Sequence, residues 1–300
     1  VYDLSATPFF LRGSGYDEGQ LFPWVVSDFS LIDAIECGIV KVPRVPVQDV
    51  PGADEPIYRH VYRYIQDHSD VKLPKAGRAK QGKPLTPDQL PSQLTGALQA
   101  LYGHYRRVFE NWTAKGGTTP PVFIVVCNNT ATSKLVHDWI AGYERVETDA
   151  ADTERRVVVP GNLPLFSNVV DGGIGEHRLA DRPVTILIDS EELESGDALS
   201  DSFRKLAAPE IEAFKRELRV RGRHTEAETI SDSDLLREVM NTVGRPGRLG
   251  EPIRCVVSVS MLTEGWDART VTHVLGVRAF GTQLLCEQVI GRALRRVSYD

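Results

Sequence analysis

The chain has 300 residues, 41% of them hydrophobic and 25% charged, which is the composition of a globular protein with one large core or two smaller ones. Its formal net charge of -6 excludes a protein held to nucleic acid by overall positive charge, so any nucleic-acid contact must be local. No apolar run reaches the roughly 18 to 20 residues that span a bilayer, so we expect no membrane contact.

The four cysteines stand alone in the sequence. Cys37, Cys127, Cys255 and Cys286 form no CxxC pair and have apolar neighbours, so we expect buried, reduced thiols. Reduced thiols predict a cytoplasmic location. The first residues, "VYDLSATPFF", include neither an initiator Met nor the charged and apolar regions of a signal peptide, which indicates a piece of a longer chain.

Residues 1–120 are predicted to contain mainly helical and extended structure. Helical spacing marks residues 29–40 and 58–68, and the prolines of "KVPRVPV" between them favour extended backbone. Residues 71–91 have no apolar period and carry several basic side chains, which leaves two alternatives, a solvated loop or a nucleic-acid contact. A long amphipathic helix follows, with Ser92 as its predicted N-cap.

From Pro121 onward the sequence predicts an α/β fold. The apolar runs "VFIVVC", "VTILIDS", "IRCVVSVS" and "VTHVLGV" have the length of strands covered on both faces, and helical patterns separate them. One of these helices has Ser231 as its predicted N-cap. Strands that alternate with helices predict a parallel sheet with helices on both faces. Ligands of such sheets bind at the carboxyl ends of the strands, where we expect the polar loops "NNTAT" and "MLTEGWDART".

The stretch "CEQVIGRALRR" combines a glycine with three arginines. On a helix of about 100° per residue, Gln288, Gly291, Arg292 and Arg295 fall on one side of residues 284–297. The apolar residues of the other side are Leu285, Cys286, Val289, Ile290, Ala293 and Val297. Because glycine costs about 1 kcal/mol relative to alanine inside a helix, we expect a ligand to approach the backbone there. Two arginines one turn apart match phosphate oxygens, and a solvated basic helix is the alternative.

The pattern Q-x-x-G-R-x-x-R of those four residues resembles motif VI of superfamily-2 helicases and translocases. The resemblance implies that Arg292 and Arg295 are arginine fingers that reach the γ-phosphate of ATP on a neighbouring lobe. It also implies that Gln288 and Gly291 lie beside the nucleotide. Arginine fingers stabilise the charge of the transferring phosphoryl group.

The upstream stretch "MLTEGWDART" resembles motif V of the same superfamily. Gly265 and Asp267 match its G-x-D, which implies that Asp267 contacts the ATP ribose or residues of motif VI. Thr263 and Glu264 then lie in a loop that meets the nucleic-acid backbone. For Asp267 taken alone, an ordinary turn is the alternative.

Two further stretches occur in the order of the superfamily motifs. "SATP" resembles motif III, which implies that Ser5 and Thr7 couple ATP hydrolysis to the nucleic-acid track. "VFIVVCNNTATS" stands at the position of motif IV and opens a helix, so backbone amides and the side chains of Asn128, Asn129 and Thr130 could hold a phosphate of the track. An ordinary capping loop is the alternative.

Two long stretches resemble the Res subunit of type III restriction enzymes: "WVVSDFSLIDAIECGIVKVPRVPV" and "SVSMLTEGWDARTVTHVLGVRAFGTQLLCEQVIGRALRR". The resemblance implies a RecA-like fold of the P-loop NTPase type. Residues 1–20 would end the first lobe, 21–120 would form a connecting or inserted segment, and 121–300 would be the second lobe with motifs IV to VI. The sequence has no G-x-x-x-x-G-K-[ST] loop and no DEAD/DEAH-type motif, so we expect the first lobe before residue 1.

The resemblance also implies cofactors and partners. ATP with Mg²⁺ would be bound mainly by the first lobe, DNA would be the track, and a modification methyltransferase subunit would be a further partner. We expect 1–300 alone to be inactive, with any nuclease domain after residue 300. The seven histidines show no paired ligand spacing, so we expect no metal site of this chain's own. The alternative function is a non-catalytic nucleic-acid-binding or regulatory α/β module; the spacing of "GSGYDEG" disfavours a dinucleotide-binding domain.

Overall fold

The computed structural model is an α/β protein. It describes residues 8–10, 13–17, 20–45, 60–74, 85–148, 154–173, 176–188, 201–259, 268–279 and 289–298. Its strands are β1 Val122–Cys127, β2 Gly142–Thr148, β3 Glu154–Pro160, β4 Val169–Gly173, β5 Glu176–Leu179, β6 Thr185–Ile188, β7 Cys255–Ser258 and β8 Val271–Val277. Its helices are α1 Leu31–Glu36, α2 Val61–His68, α3 Ser92–Ala114, α4 Thr130–Ala141, α5 Asp201–Leu206, α6 Ala208–Val220, α7 His224–Glu228 and α8 Asp232–Asn241. Residues 289–293 are also helical.

The central sheet has four strands in the order β6-β7-β1-β8, and each neighbouring pair is parallel. Every residue of β1, β6 and β7 is buried, as continuous apolar runs predict for strands covered on both faces. The α/β class and the parallel sheet expected from the sequence are therefore confirmed. The RecA-like assignment is finer than this observation and stays a prediction.

Helices cover both faces of the central sheet. Alternate residues of β1 point to opposite sides: Phe123 and Val125 pack with α2, α3 and α4, whereas Ile124 packs with α6, α8 and residues 289–293. Tyr105 of α3 is fully buried in the first of these cores, where its hydroxyl donates to the Pro121 carbonyl oxygen at 2.7 Å. Two helices that precede residue 120 in the sequence thus share a core with the sheet.

Two antiparallel hairpins occupy the region between α4 and β6. β2 pairs with β3, and β4 pairs with β5. Apolar periodicity does not predict these strands, because they are largely exposed on the surface. Charged residues interrupt their apolar pattern, as in "ERRVVVP".

The ends of three helices test the sequence expectations. Ser231 caps α8, where its hydroxyl accepts from the Asp234 amide and completes a capping box. Ser92 is not a cap: α3 already begins at Ser92, and Pro91 occupies the capping position without a side-chain hydrogen bond. Residues 203–221, whose spacing predicts one helix, lie in two helices, α5 and α6, which meet at Ala207.

The cysteine expectation holds in part. Cys127 and Cys255 are buried in the sheet, where burial raises the pKa of both thiols. Cys37 is exposed instead, because it follows the last turn of α1 on the surface. Within the described ranges, no helix has the length and apolar character needed to cross a membrane.

Candidate functional site

The structure describes some of the predicted site residues. Gly291, Arg292 and Arg295 are described near the end of the chain, and Asn128, Asn129 and Thr130 after β1. The other predicted residues lie outside the described residues: Ser5, Thr7, Thr263, Glu264, Gly265, Asp267 and Gln288. Their predicted roles stay predictions.

The helix that carries Gly291 and Arg292 docks on the central sheet. Val289 and Ala293 are 7% and 5% exposed and pack in the core that α6 and α8 share. The helix ends at residue 293, which corrects the helix expected over 284–297. Val297, expected on its apolar side, is 52% exposed. The helix stops because residues 294–296 leave it to pair with another part of the chain.

We call that pairing part, residues 38–41, the clamp. Val40 and Arg295 form an antiparallel bridge, and the Lys41 amide donates to the Leu294 carbonyl oxygen at 2.7 Å. Arg296 Nη1 donates to the Gly38 carbonyl oxygen at 2.8 Å. These contacts give 294–296 an extended partner, which helix propensity alone could not predict.

The sequence of α1 sets the path of the clamp. Ser30 caps the start of α1 and forms a capping box with Asp33. Hydrogen bonds from Ser30 to the Asp33 carboxylate lower the pKa of Asp33. At the other end, Gly38 has a φ of 68°, its amide donates to the Ile35 carbonyl, and the next amide donates to Ala34. This left-handed glycine termination turns the chain away from the helix axis and toward residues 294–296.

Lys41 makes the most connected contact of the clamp. Its Nζ donates to the carbonyl oxygens of Arg269 at 2.8 Å, Val271 at 2.7 Å and Ala293 at 3.3 Å. Burial of the ammonium lowers the pKa of Lys41 to about 8. One ammonium group therefore joins the start of β8 to the end of the helix that carries Arg292. No local sequence pattern could predict these contacts, because they join residues more than 200 positions apart.

The described residues around Arg292 and Arg295, which we call the arginine pair, leave space at Gly291. Among the described residues, the nearest atom that a Cβ at position 291 would meet is Leu31 Cδ1, at an ordinary contact distance of 3.9 Å. Packing within this part of the chain therefore does not require a glycine. Arg292 and Arg295 are both partly buried, and both interact with other residues of the chain.

The loop after β1 is organised by hydrogen bonds within the protein. Asn129 caps α4 by accepting from the Thr132 amide at 2.8 Å, and its Nδ2 donates to the Pro74 carbonyl oxygen at 2.7 Å. Asn128 Nδ2 donates to the Tyr62 hydroxyl at 3.2 Å and to the same Pro74 carbonyl at 3.3 Å. The capping alternative thus accounts for Asn129. Thr130 is exposed, and a phosphate contact by this loop stays a prediction.

The two groups of site residues, 128–130 and 291–295, lie at opposite ends of the strands of the central sheet. Asn128 and Asn129 follow the carboxyl end of β1, as expected. The stretch "MLTEGWDART" is also expected at the carboxyl ends of the strands. Its described residues, 268–270, lie instead at the amino end of β8, next to Lys41 and residues 289–296, which we call the arginine segment. A connection between two parallel strands must cross from one edge to the other, which explains why this loop does not stay at the carboxyl edge.

A contact at the carboxyl ends of the strands joins the two strands on either side of β1. Arg278, just after β8, donates from Nη1 to the carbonyl oxygen of Val259, just after β7, at 3.2 Å. These two strands flank β1, so the contact passes over the strand that leads to Asn128. Over the described part of the chain, no group of three or more His, Cys, Asp or Glu side chains is placed to hold a metal ion.

Comparisons with known proteins add no assignment. No family model matches this sequence, and neither a curated protein nor a solved structure matches it.

Proposed function

We propose that this chain is the second motor lobe of an ATP-dependent DNA helicase or translocase of the kind found in the Res subunit of type III restriction enzymes. Arg292 and Arg295 would supply charge to the γ-phosphate of ATP, and the loops after β1 and β7 would contact the DNA backbone. The sequence motifs and their order motivate this proposal, and a parallel α/β sheet is compatible with it.

The observation that carries the proposal is the position of the arginine segment. The Lys41 ammonium donates to the carbonyl oxygens of both Ala293 and Arg269. Ala293 stands between the two arginines, and Arg269 is two residues after Asp267 in the sequence. The described end of the stretch that resembles motif V, at Arg269, therefore lies beside the described part of the stretch that resembles motif VI. A motor of this type needs that proximity, because both motifs act on one nucleotide.

The residues around Gly291 fit a polyphosphate. Among the described residues, nothing crowds the glycine more closely than Leu31 Cδ1 at 3.9 Å, and neither arginine beside it is fully buried. Bound ATP with Mg²⁺ would supply a phosphoryl group for transfer to water. The guanidinium groups of this chain would stabilise the charge that develops on that group.

Substitution of the arginines in the complete polypeptide tests the proposal. Arg295→Ala should lower DNA-stimulated ATP turnover at least about a hundredfold, with DNA binding nearly unchanged. Arg216→Ala, which removes an exposed arginine of α6, is the matched control and should leave turnover at the wild-type rate. Equal loss of turnover and DNA binding in Arg295→Ala would indicate a structural role and contradict the proposal.

A second measurement tests the division into lobes. Residues 1–300 alone should hydrolyse ATP negligibly, because the phosphate loop is expected on the first lobe. Robust DNA-stimulated turnover by this piece would refute that division. No ATPase activity in the complete polypeptide would leave the non-catalytic nucleic-acid-binding module as the interpretation.

A further inference from the structure

The Lys41 side chain joins two structural elements by hydrogen bonds. Two of its acceptors, the carbonyls of Arg269 and Val271, belong to the start of β8, and the third, that of Ala293, ends the helix at 289–293. The carbonyl end of a helix attracts a positive charge, so the ammonium also suits the helix terminus.

An ammonium at this position loses part of its hydration, and its hydrogen bonds must offset that loss. Burial lowers the pKa of Lys41, and within the described ranges no carboxylate lies at ion-pair distance from its Nζ. A partly buried ammonium without a carboxylate is stabilised when hydrogen bonds replace its lost hydration. Here an ammonium has three donors and three carbonyl acceptors, so the group acts as a three-way link between backbones.

Apolar packing of Val289 and Ala293 in the core that contains Val271 docks the helix on the sheet, and the rest of the clamp binds residues 294–296. The bridge between Val40 and Arg295, the Lys41 amide and the Arg296 guanidinium all join the clamp to residues 294–296. Only the side chain of Lys41 continues from the clamp to Arg269 and Val271.

We propose that Lys41 is a positioning residue for the arginine pair. Its ammonium holds the end of the helix at 289–293, the arginine helix, at a set distance from the start of β8. This inference rests on the proposed function. Arg292 and Arg295 flank the tethered Ala293, so a change in this link moves both guanidinium groups together. The lysine itself contacts backbone and takes no part in the chemical step.

Lys41→Met in the complete polypeptide tests the proposal. The substitution keeps the apolar stem and removes the three donors. We expect kcat for DNA-stimulated ATP hydrolysis to fall at least about tenfold, because misplacement of a catalytic group by about 1 Å can cost a hundredfold. The KM for ATP should stay within about threefold, since the nucleotide would be bound mainly by the first lobe.

Two further variants separate positioning from a general loss of folding. Lys41→Arg keeps donors for the carbonyls and should restore most of the lost kcat. Lys215→Met removes an ammonium that donates to Glu212 on the surface of α6, and it should keep the wild-type kcat. Hydrogen exchange supplies a readout that does not depend on ATP: peptides covering 289–298 should exchange faster in Lys41→Met.

The outcomes distinguish this inference from the proposed function. If Arg295→Ala abolishes turnover while Lys41→Met keeps the wild-type kcat, the positioning role is refuted and the motor function stands. If Arg295→Ala itself keeps full turnover, the motor function fails. Unchanged exchange over 289–298 in Lys41→Met would refute the link whatever the turnover shows, and a kcat and KM lost together would also count against positioning.

Discussion

Gly291→Ala should stabilise the protein and impair its activity at the same time. Glycine inside a helix is about 0.8 to 1.0 kcal/mol less favourable than alanine. The new methyl group would meet Leu31 Cδ1 at 3.9 Å, an ordinary contact without a clash, so no strain offsets this gain within the described residues. We expect the free energy of unfolding to rise by about 1 kcal/mol.

Urea unfolding of the purified chain measures this change. Gly103→Ala is a matched control, since Gly103 lies in the middle of α3 and a Cβ there would meet no described atom within 4 Å. Both substitutions should raise stability by similar amounts. In the complete polypeptide, only Gly291→Ala should lower ATP turnover, by about tenfold, because the methyl group would obstruct the approach of the phosphates.

Two results would refute this reasoning. A destabilised Gly291→Ala protein would mean that the fold itself requires the glycine. A stabilised protein with unchanged turnover would mean that no ligand approaches the backbone at this position, and the functional interpretation of the glycine would fail.

Two further predictions concern the core and the loop after β1. Burial, with the neighbouring His104 at 2.7 Å, lowers the pKa of His273 from 6.5 to about 4. The unfolded chain therefore binds this proton first as the pH falls, and the free energy of unfolding should drop by up to about 3 kcal/mol between pH 6.5 and 4. Subtracting the profile of His273→Gln from that of the wild type should isolate this drop, and parallel profiles would contradict it. Asn129→Ala should lower stability by about 1 to 2 kcal/mol through loss of the α4 cap, and Asn128→Ala by less; thermal or urea unfolding that gives the reverse order would contradict the capping role.

The central sheet could be predicted from the sequence because its strands are apolar throughout. A run such as "VFIVVC" has few alternatives to a strand covered on both faces, and β1 occupies those residues. The hairpins β2–β3 and β4–β5 could not be predicted in the same way. Their residues face solvent, so pairing between backbones rather than apolar periodicity determines them.

The candidate site could be predicted only in part. The apolar positions Val289 and Ala293 dock the arginine helix as its periodicity predicts. The end of that helix could not be inferred, because contacts with residues 38–41 override the local helical preference from 294 onward. No local pattern marks Lys41, since the sequence around a partly buried lysine near prolines does not differ from that around an exposed lysine.

The apolar face of α3 is synthesised shortly before β1 but long before β7 and β8, which complete its core. Tyr105 packs against Phe123 and His273, so its surroundings are complete only when β8 has been made. During translation this helix must keep its apolar residues in water or against a temporary partner, a state that favours aggregation. Because this core is completed by residues far apart in the chain, we expect the protein to fold more slowly than its helix content suggests.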